Sequence, residues 1–94
     1  MLRAVFRWVV RMTPEQLKVL IEQGIANTTA IVEGDGSHFY AYVISDTFAG
    51  LSPVKRHQVV YAALGDGFKD AIHALSMQTL TCAEWDGLAP QLAD

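Results

Sequence analysis

The sequence contains little cysteine, little charge and no long apolar run, and each shortage excludes a class of protein. A single cysteine, Cys82, cannot form a disulfide within one chain or supply an all-cysteine zinc site. Only 18% of the residues are charged and 51% are hydrophobic, which excludes a disordered chain. No apolar run reaches the roughly 18 residues that span a bilayer. No motif combines a nucleophile with a base and an acid, so we do not expect an enzyme.

The 94 residues suffice for one small domain whose charge is unevenly placed. The formal net charge is −3, yet residues 1–11 hold three arginines and no acidic residue. The rest of the chain therefore carries four basic and ten acidic side chains, a net charge of −6. Proteins that bind nucleic acid without sequence preference usually present a basic surface, because neutralising phosphate supplies their affinity. This acidic body argues against such binding as its main activity.

Residues 1–11 form a basic, amphipathic N-terminal extension, with apolar residues and arginines at helical spacing. Two interpretations are open: a simple extension of a domain that begins at Met12, or a membrane-surface or organelle-targeting segment. The remainder divides into a domain over residues 12–86 and a C-terminal tail over residues 87–94. We expect a cytoplasmic protein, or an organellar one if residues 1–11 act in targeting.

Capping residues, β-branched runs and glycines predict the secondary structure of the body. Thr13, Ser52 and Thr81 have the character of helix N-caps, and Thr13 and Thr81 are each followed at the third position by Gln or Glu. Glycines close the helices and the strand–strand turn, where a positive φ is tolerated. In chain order the predicted elements are a helix over 13–24, strands over 28–33 and 38–45, a helix over 53–64, a short helix over 68–72, a strand over 74–80 and a final turn that opens at 81–84.

This order, αββααβ, predicts an α+β fold in which two or three helices cover one face of a three-stranded sheet. The first two strands should form an antiparallel hairpin. We expect Tyr40, Tyr42 and Tyr61 to be packing groups. A helix–tight turn–helix unit over about residues 53–72 lies between the hairpin and the last strand.

Several separate motifs give the chain a resemblance to the BolA family. The resemblance covers residues 12–86 in register and is strongest to short bacterial-type members with a Gly-Asp-Gly-Ser-His loop. It implies a fold like class II KH domains, αββααβ, which agrees with the order predicted from local signals. The motifs are Val32-Glu33-Gly34-Asp35-Gly36-Ser37-His38-Phe39, the segment from Phe48 to Tyr61, the segment from Ile72 to Thr81, and Glu84-Trp85.

The resemblance implies an adaptor that binds a monothiol glutaredoxin. Together the two proteins would hold a [2Fe–2S] cluster that is shared with glutathione and absent from this chain when it is alone. The ligands that the resemblance implies here are His73, before the last strand, and His38, from the hairpin. The expected role is iron–sulfur cluster trafficking, iron homeostasis or stress response, in a protein that is a monomer or a weak homodimer by itself.

Spacing alone leaves other interpretations of these residues open. His73 fits a partly buried histidine bonded to a backbone carbonyl, and His38 fits an exposed histidine at a strand end. His57, on a helix, is interpreted as a structural or surface group. Cys82 would occupy the first turn of a helix, where the pKa of a thiol is expected to be lowered. The other interpretation is an inert cysteine with no chemical role.

Two alternative functions also remain open. The first is a DNA-binding transcriptional regulator that uses the helix–turn–helix around residues 53–72, with Lys55, Arg56 and Lys69 on phosphates. These three residues also fit a solvated helix face. The second is a protein-interaction module whose affinity for its partner does not depend on iron.

Overall fold

A computed structural model describes residues 13–35, 37–65 and 74–92. The described elements follow one another as helix, strand, strand, helix, strand and helix, which confirms the α+β class. The short helix predicted over 68–72 lies outside the described residues. In chain order the elements are α1 (Pro14–Gly24), β1 (Thr28–Gly34), β2 (Phe39–Ser45), a 3₁₀ turn (Asp46–Phe48), α2 (Pro53–Leu64), β3 (Leu75–Leu80) and α3 (Cys82–Leu92).

The three strands form one mixed sheet with β2 in the centre. β1 and β2 are antiparallel, with Thr28 opposite Ser45 at one end and Gly34 opposite Phe39 at the other. β2 and β3 are parallel, and Phe39 lies opposite Leu75. A parallel pair needs a long crossover, and α2 lies in the segment that makes it. The predicted hairpin is therefore confirmed, and β2 and β3 begin side by side.

All three described helices begin at the polar caps predicted for them. The Thr13 side chain accepts from the Gln16 N–H at 3.1 Å, and the Gln16 side chain accepts from the Thr13 N–H at 2.9 Å. Ser52 caps α2 with Pro53 at the first helical position. Such caps satisfy backbone donors that the helix leaves unpaired. None of the helices in the described ranges is long and apolar enough to cross a membrane.

The hydrophobic core lies between one face of the sheet and the two helices α1 and α2. Alternate residues of each strand point toward these helices, as the period of two in a strand requires. α1 contributes Leu17 and Ile21 to this core, and α2 contributes Val60 and Leu64. Its buried members are Leu17, Ile21, Ile25, Ala30, Phe39, Ala41, Val43, Phe48, Val60, Leu64 and Leu75.

The opposite face of the sheet is more open, and α3 contacts part of it. The rings of Tyr42 and Trp85 lie 5.5 Å apart between centroids. Tyr40 is 58% exposed and Tyr61 37% exposed, so neither belongs to the core, and their ring contacts are with His38 and His57. Tyr40 lies on the face of the sheet that points away from α1 and α2, and Tyr61 lies on the exposed side of α2.

The helix α3 is longer than the final turn predicted from the sequence. Gly87 and Pro90 are poor helix residues by propensity, yet one helix runs from Cys82 to Leu92. A capping box starts it, since Thr81 and Glu84 exchange backbone-to-side-chain hydrogen bonds of 2.7 and 3.2 Å. Residues 87–92, which were predicted as part of a C-terminal tail, therefore belong to α3.

Gly24 is required by close packing between α1 and α2. Gly24 is the last residue of α1, and a Cβ built there would lie 2.6 Å from the Ala63 Cβ. The sequence predicted this glycine as a C-cap, but the cap residue is Ile25, in extended conformation. The close approach of two helices, rather than a left-handed φ, explains the glycine.

We predict opposite effects of the same substitution at two helical glycines. Gly24→Ala should lower the free energy of unfolding by about 1–3 kcal/mol, because the new methyl overlaps Ala63. Gly87→Ala, with nothing within 4 Å of the new Cβ, should raise it by about 0.5–1 kcal/mol. Urea denaturation measures both values. Ala63→Gly should lower the free energy of unfolding less in the Gly24→Ala background than in the wild type. If the effects of the two substitutions simply add, the proposed overlap is contradicted.

Candidate metal centre where strands β2 and β3 begin

The hairpin loop that precedes β2 is organised by one carboxylate. Asp35 Oδ1 accepts from the Ser37 N–H at 2.9 Å, the Ser37 hydroxyl at 2.8 Å and the His38 N–H at 3.0 Å. The Asp35 N–H donates in return to the His38 carbonyl at 3.3 Å. The backbone of His38 is therefore fixed on both sides by a single aspartate.

These donors lower the pKa of Asp35 to about 2 from its ordinary 3.8. The largest contribution is the Ser37 hydroxyl, followed by the backbone N–H groups of Ser37 and His38. Hydrogen bonds to a charged carboxylate favour the ionised form, so the loop carries a fixed negative charge beside the histidine.

Gly34 allows the loop to close tightly on His38. A Cβ at this position would lie 2.3 Å from the His38 carbonyl oxygen and 2.9 Å from a Phe39 ring carbon. The sequence predicted Gly34 as a turn residue with positive φ, but it ends β1, opposite Phe39. Close approach of two backbone segments is the reason for the glycine.

The His38 side chain itself is exposed. Its ring packs at a tilt against Tyr40, with 5.4 Å between the ring centroids. The backbone is thus held while the imidazole faces solvent, and a ring nitrogen is accessible to an incoming molecule. β2 begins at Phe39, so His38 is the residue immediately before the strand.

The parallel pairing brings the start of β3 to this loop. The Phe39 N–H donates to the Ala74 carbonyl at 2.9 Å, just before the register pair Phe39–Leu75. His73, the other predicted ligand, lies outside the described residues. In the sequence it is joined by one peptide bond to Ala74, as His38 is to Phe39.

The described residues alone do not form a complete metal site. Within residues 13–35, 37–65 and 74–92, no group of three His, Cys, Asp or Glu side chains is placed to hold a metal ion. The third histidine, His57, lies half-buried on α2 with its ring 6.4 Å from that of Tyr61. Its half-buried position and its edge contact with Tyr61 fit the interpretation of His57 as a structural or surface group.

The second predicted surface, on α2, is only partly available to a ligand. The Arg56 guanidinium donates to the Leu51 carbonyl at 3.0 Å, the Thr79 carbonyl at 3.1 Å and a Glu84 carboxylate oxygen at 2.7 Å. Its side chain is 14% exposed. Lys55 is exposed, and Lys69 lies outside the described residues. Arg56 thus connects α2 to β3 and α3.

Cys82 differs from the expectation for a thiol at a helix start. Partial desolvation and the nearby Asp46 carboxylate raise its pKa above the ordinary value. The Cys82 backbone N–H donates to Asp46 Oδ1 at 3.1 Å, so a negative charge already occupies this helix terminus. The predicted lowering of the pKa is wrong, because desolvation and the neighbouring Asp46 carboxylate both disfavour the thiolate.

The ordered fold and loop define a BolA-like protein. Residues 10–84 match the model of the BolA-like protein family, and the chain belongs to that family. A Vibrio cholerae protein described as the DNA-binding transcriptional regulator BolA is 44% identical over 72 residues, which are 77% of this chain and 65% of that protein. Human BolA-like protein 1 is 39% identical over 74 residues, 79% of this chain and 52% of that protein.

A solved BolA homologue from Coxiella burnetii has the same fold. It matches with a TM-score of 0.72 at 42% identity and covers 80% of this chain and 97% of the homologue. These two curated relatives are longer than this chain, and the matched segment spans 65% of the first and 52% of the second.

We predict that the hairpin loop loosens only in strong acid. The folded pKa of Asp35, about 2, lies below the ordinary 3.8. Its stabilising effect is therefore complete above the ordinary pKa and is lost as the pH falls through about 2. The backbone amide shifts of Ser37 and His38 in NMR spectra should titrate together at that midpoint. Asp35→Asn should abolish the titration, and a midpoint at the ordinary pKa would contradict these hydrogen bonds.

Proposed function

We propose that this protein is an adaptor that binds a monothiol glutaredoxin and supplies two ligands, His73 and His38, to a shared [2Fe–2S] cluster. The adaptor would act in iron–sulfur cluster trafficking or iron homeostasis. The observation that supports it best is the hydrogen bond from the Phe39 N–H to the Ala74 carbonyl. That bond pairs the two residues that directly follow the two histidines in the sequence.

The side-chain chemistry of the loop fits this proposal. Iron–sulfur clusters take thiolate ligands, and imidazole can replace thiolate on one iron and raise the reduction potential. His38 offers an exposed imidazole on a backbone held by Asp35. A protein that offers two imidazoles would complete four-ligand coordination of an iron only with ligands from a partner.

The exposed ring of His38 also suits assembly with another protein. A metal-binding histidine needs an orientation fixed by its surroundings. Here the fixed parts are the backbone and the ring contact with Tyr40. The ring nitrogens remain open toward solvent, from which a glutaredoxin would approach.

Cluster reconstitution with the individual histidines replaced tests the assignment. A monothiol glutaredoxin, glutathione, iron and sulfide are mixed with the wild type, His73→Ala, His38→Ala or His57→Ala. We expect His73→Ala and His38→Ala each to change the visible absorbance and circular dichroism and to shorten the lifetime of the cluster. His57→Ala is the matched control and should reproduce the wild-type spectrum.

Two outcomes would count against the ligand assignment. Wild-type spectra for His73→Ala would remove that residue from the cluster, and the same result for His38→Ala would remove the hairpin ligand. Tight, iron-independent binding of glutaredoxin in calorimetry would instead support the interaction module without metal.

A DNA-binding regulator is the second candidate, favoured by the name of the V. cholerae relative. Its surface would be the exposed side of α2, which carries Lys55. The structure weakens this surface in one respect, since Arg56 already donates to three protein acceptors. Acidic residues outnumber basic ones ten to four outside residues 1–11, which also opposes phosphate binding.

Salt-dependent gel shifts discriminate the DNA-binding function from the adaptor function. A regulator that uses α2 should bind duplex DNA at physiological salt and weaken steeply as salt rises. Lys55→Ala should then reduce the salt slope by about one unit. Under the adaptor proposal we expect no complex at physiological salt and no effect of Lys55→Ala on cluster spectra.

A further inference from the structure

The strand β1 forms an edge of the sheet, since only β2 pairs with it among the described strands. In an antiparallel pair, the N–H and C=O of one residue point to the same side, and the side alternates along the strand. The N–H and C=O of Ala30 both bond to side chains outside the sheet. The N–H and C=O groups of Thr28, Val32 and Gly34, at alternate positions, therefore also point outward. These four positions form the outer edge of β1, along which another strand could pair if its backbone groups were available.

Two side chains of α1 occupy that edge at Ala30. Lys18 Nζ donates to the Ala30 carbonyl at 2.8 Å, and the Ala30 N–H donates to Glu22 Oε2 at 3.0 Å. Lys18 and Glu22 also form an ion pair across one helical turn. Both outward groups of Ala30 are therefore taken by the protein itself.

The pair differs from an ordinary surface ion pair because each partner also bonds to the backbone of the strand. Its side chains are 45% and 29% exposed, so each is partly desolvated. The pKa of Glu22 is lowered, first by the hydrogen bond from the Ala30 N–H and then by Lys18. Glu22 therefore remains ionised and bound to the strand under ordinary conditions.

The chemistry of the edge fits a second copy of this chain. In a two-fold antiparallel pairing centred on Ile31, Ala30 of each copy would exchange both backbone bonds with Val32 of the other. Ile31, which is 38% exposed, would then face its own counterpart and lose apolar surface to water. Thr29 would face Glu33, so no like charges would be opposed.

We propose that β1 is a latent strand-pairing surface for a second copy of this chain and that the Lys18–Glu22 pair closes it. The pair fills the Ala30 groups that the two-fold pairing requires. Charged side chains at sheet edges are a general means of preventing edge-to-edge association. Here the charges act directly on the backbone, because they bond to its N–H and C=O groups.

Removing the pair should release self-association. Glu22→Ala and the double variant Lys18→Met/Glu22→Ala are compared with the wild type by sedimentation over a wide concentration range. Methionine keeps the apolar stem of Lys18 and removes only its donor. We expect dimerisation at least about tenfold tighter than in the wild type, since each copy regains two backbone groups for pairing.

Two control variants separate this effect from a general change of charge or fold. Glu15→Ala, at an exposed position on α1, changes the net charge equally and should leave the association constant unchanged. Glu22→Gln keeps an acceptor for the Ala30 N–H and should stay near the wild type. Concentration-dependent protection of the Val32 amide from hydrogen exchange should accompany the dimer.

Three results would overturn the proposal. The first is a double variant that is folded by circular dichroism yet as monomeric as the wild type. The second is a dimer in which exchange of the Val32 amide does not change with concentration, because the copies then meet elsewhere. The third is a wild type that already pairs through β1. If the double variant fails to fold, Glu22→Ala alone decides the question.

Discussion

The parallel pairing of β2 with β3 is the constraint on which the other features of this structure depend. β2 lies between an antiparallel and a parallel neighbour, so its first residue meets both the hairpin loop and the start of β3. Antiparallel pairing of the same strands would place the start of β3 at the far end of β2. The register pair Phe39–Leu75 therefore determines which loop the residue before β3 adjoins.

The same pairing determines where the ends of α2 and α3 meet the sheet. The carboxyl end of β3 lies beside the beginning of both helices, and Arg56 connects the three elements there. A half-buried guanidinium is stabilised only when its donors are matched, and Arg56 bonds to two carbonyls and a carboxylate. Glu84 accepts hydrogen bonds from Arg56 and from the Thr81 N–H, and these two bonds lower its pKa.

Local signals predicted most of the fold because they act within a few residues. Caps at Thr13, Ser52 and Thr81 and the β-branched run before Gly34 need only neighbouring residues, and the structure confirms each element that they start. The length of α3 was missed because Gly87 and Pro90 disfavour a helix locally, whereas α3 also contacts the sheet, where Trp85 meets Tyr42. Gly24 was interpreted as a cap for the same reason, since Ala63 lies far along the chain.

The candidate site shows the same limit more strongly. The spacing of His38 and His73 contains no ligand pattern, so only the family resemblance selected them. The contact from Lys18 and Glu22 to Ala30 spans 12 and 8 residues and leaves no local signature. One part was accessible to local reasoning: an aspartate two residues before a serine in a glycine-rich turn is typical of an Asx turn. That pattern could have predicted that the Asp35 side chain fixes the backbone of His38 by a hydrogen bond.

Four acidic side chains among the described residues perform one kind of task, since each accepts from a backbone N–H that no strand or helix partner satisfies. They are Asp35, Glu22, Asp46 and Glu84. An unpaired backbone donor is costly where water is partly excluded, and an ionised carboxylate is a strong acceptor for it. The excess of acid therefore need not indicate a binding surface for cations or basic partners. Charge that already bonds to the backbone is unavailable for recognition, which leaves the exposed imidazole of His38 as the distinctive chemical group of the described loop.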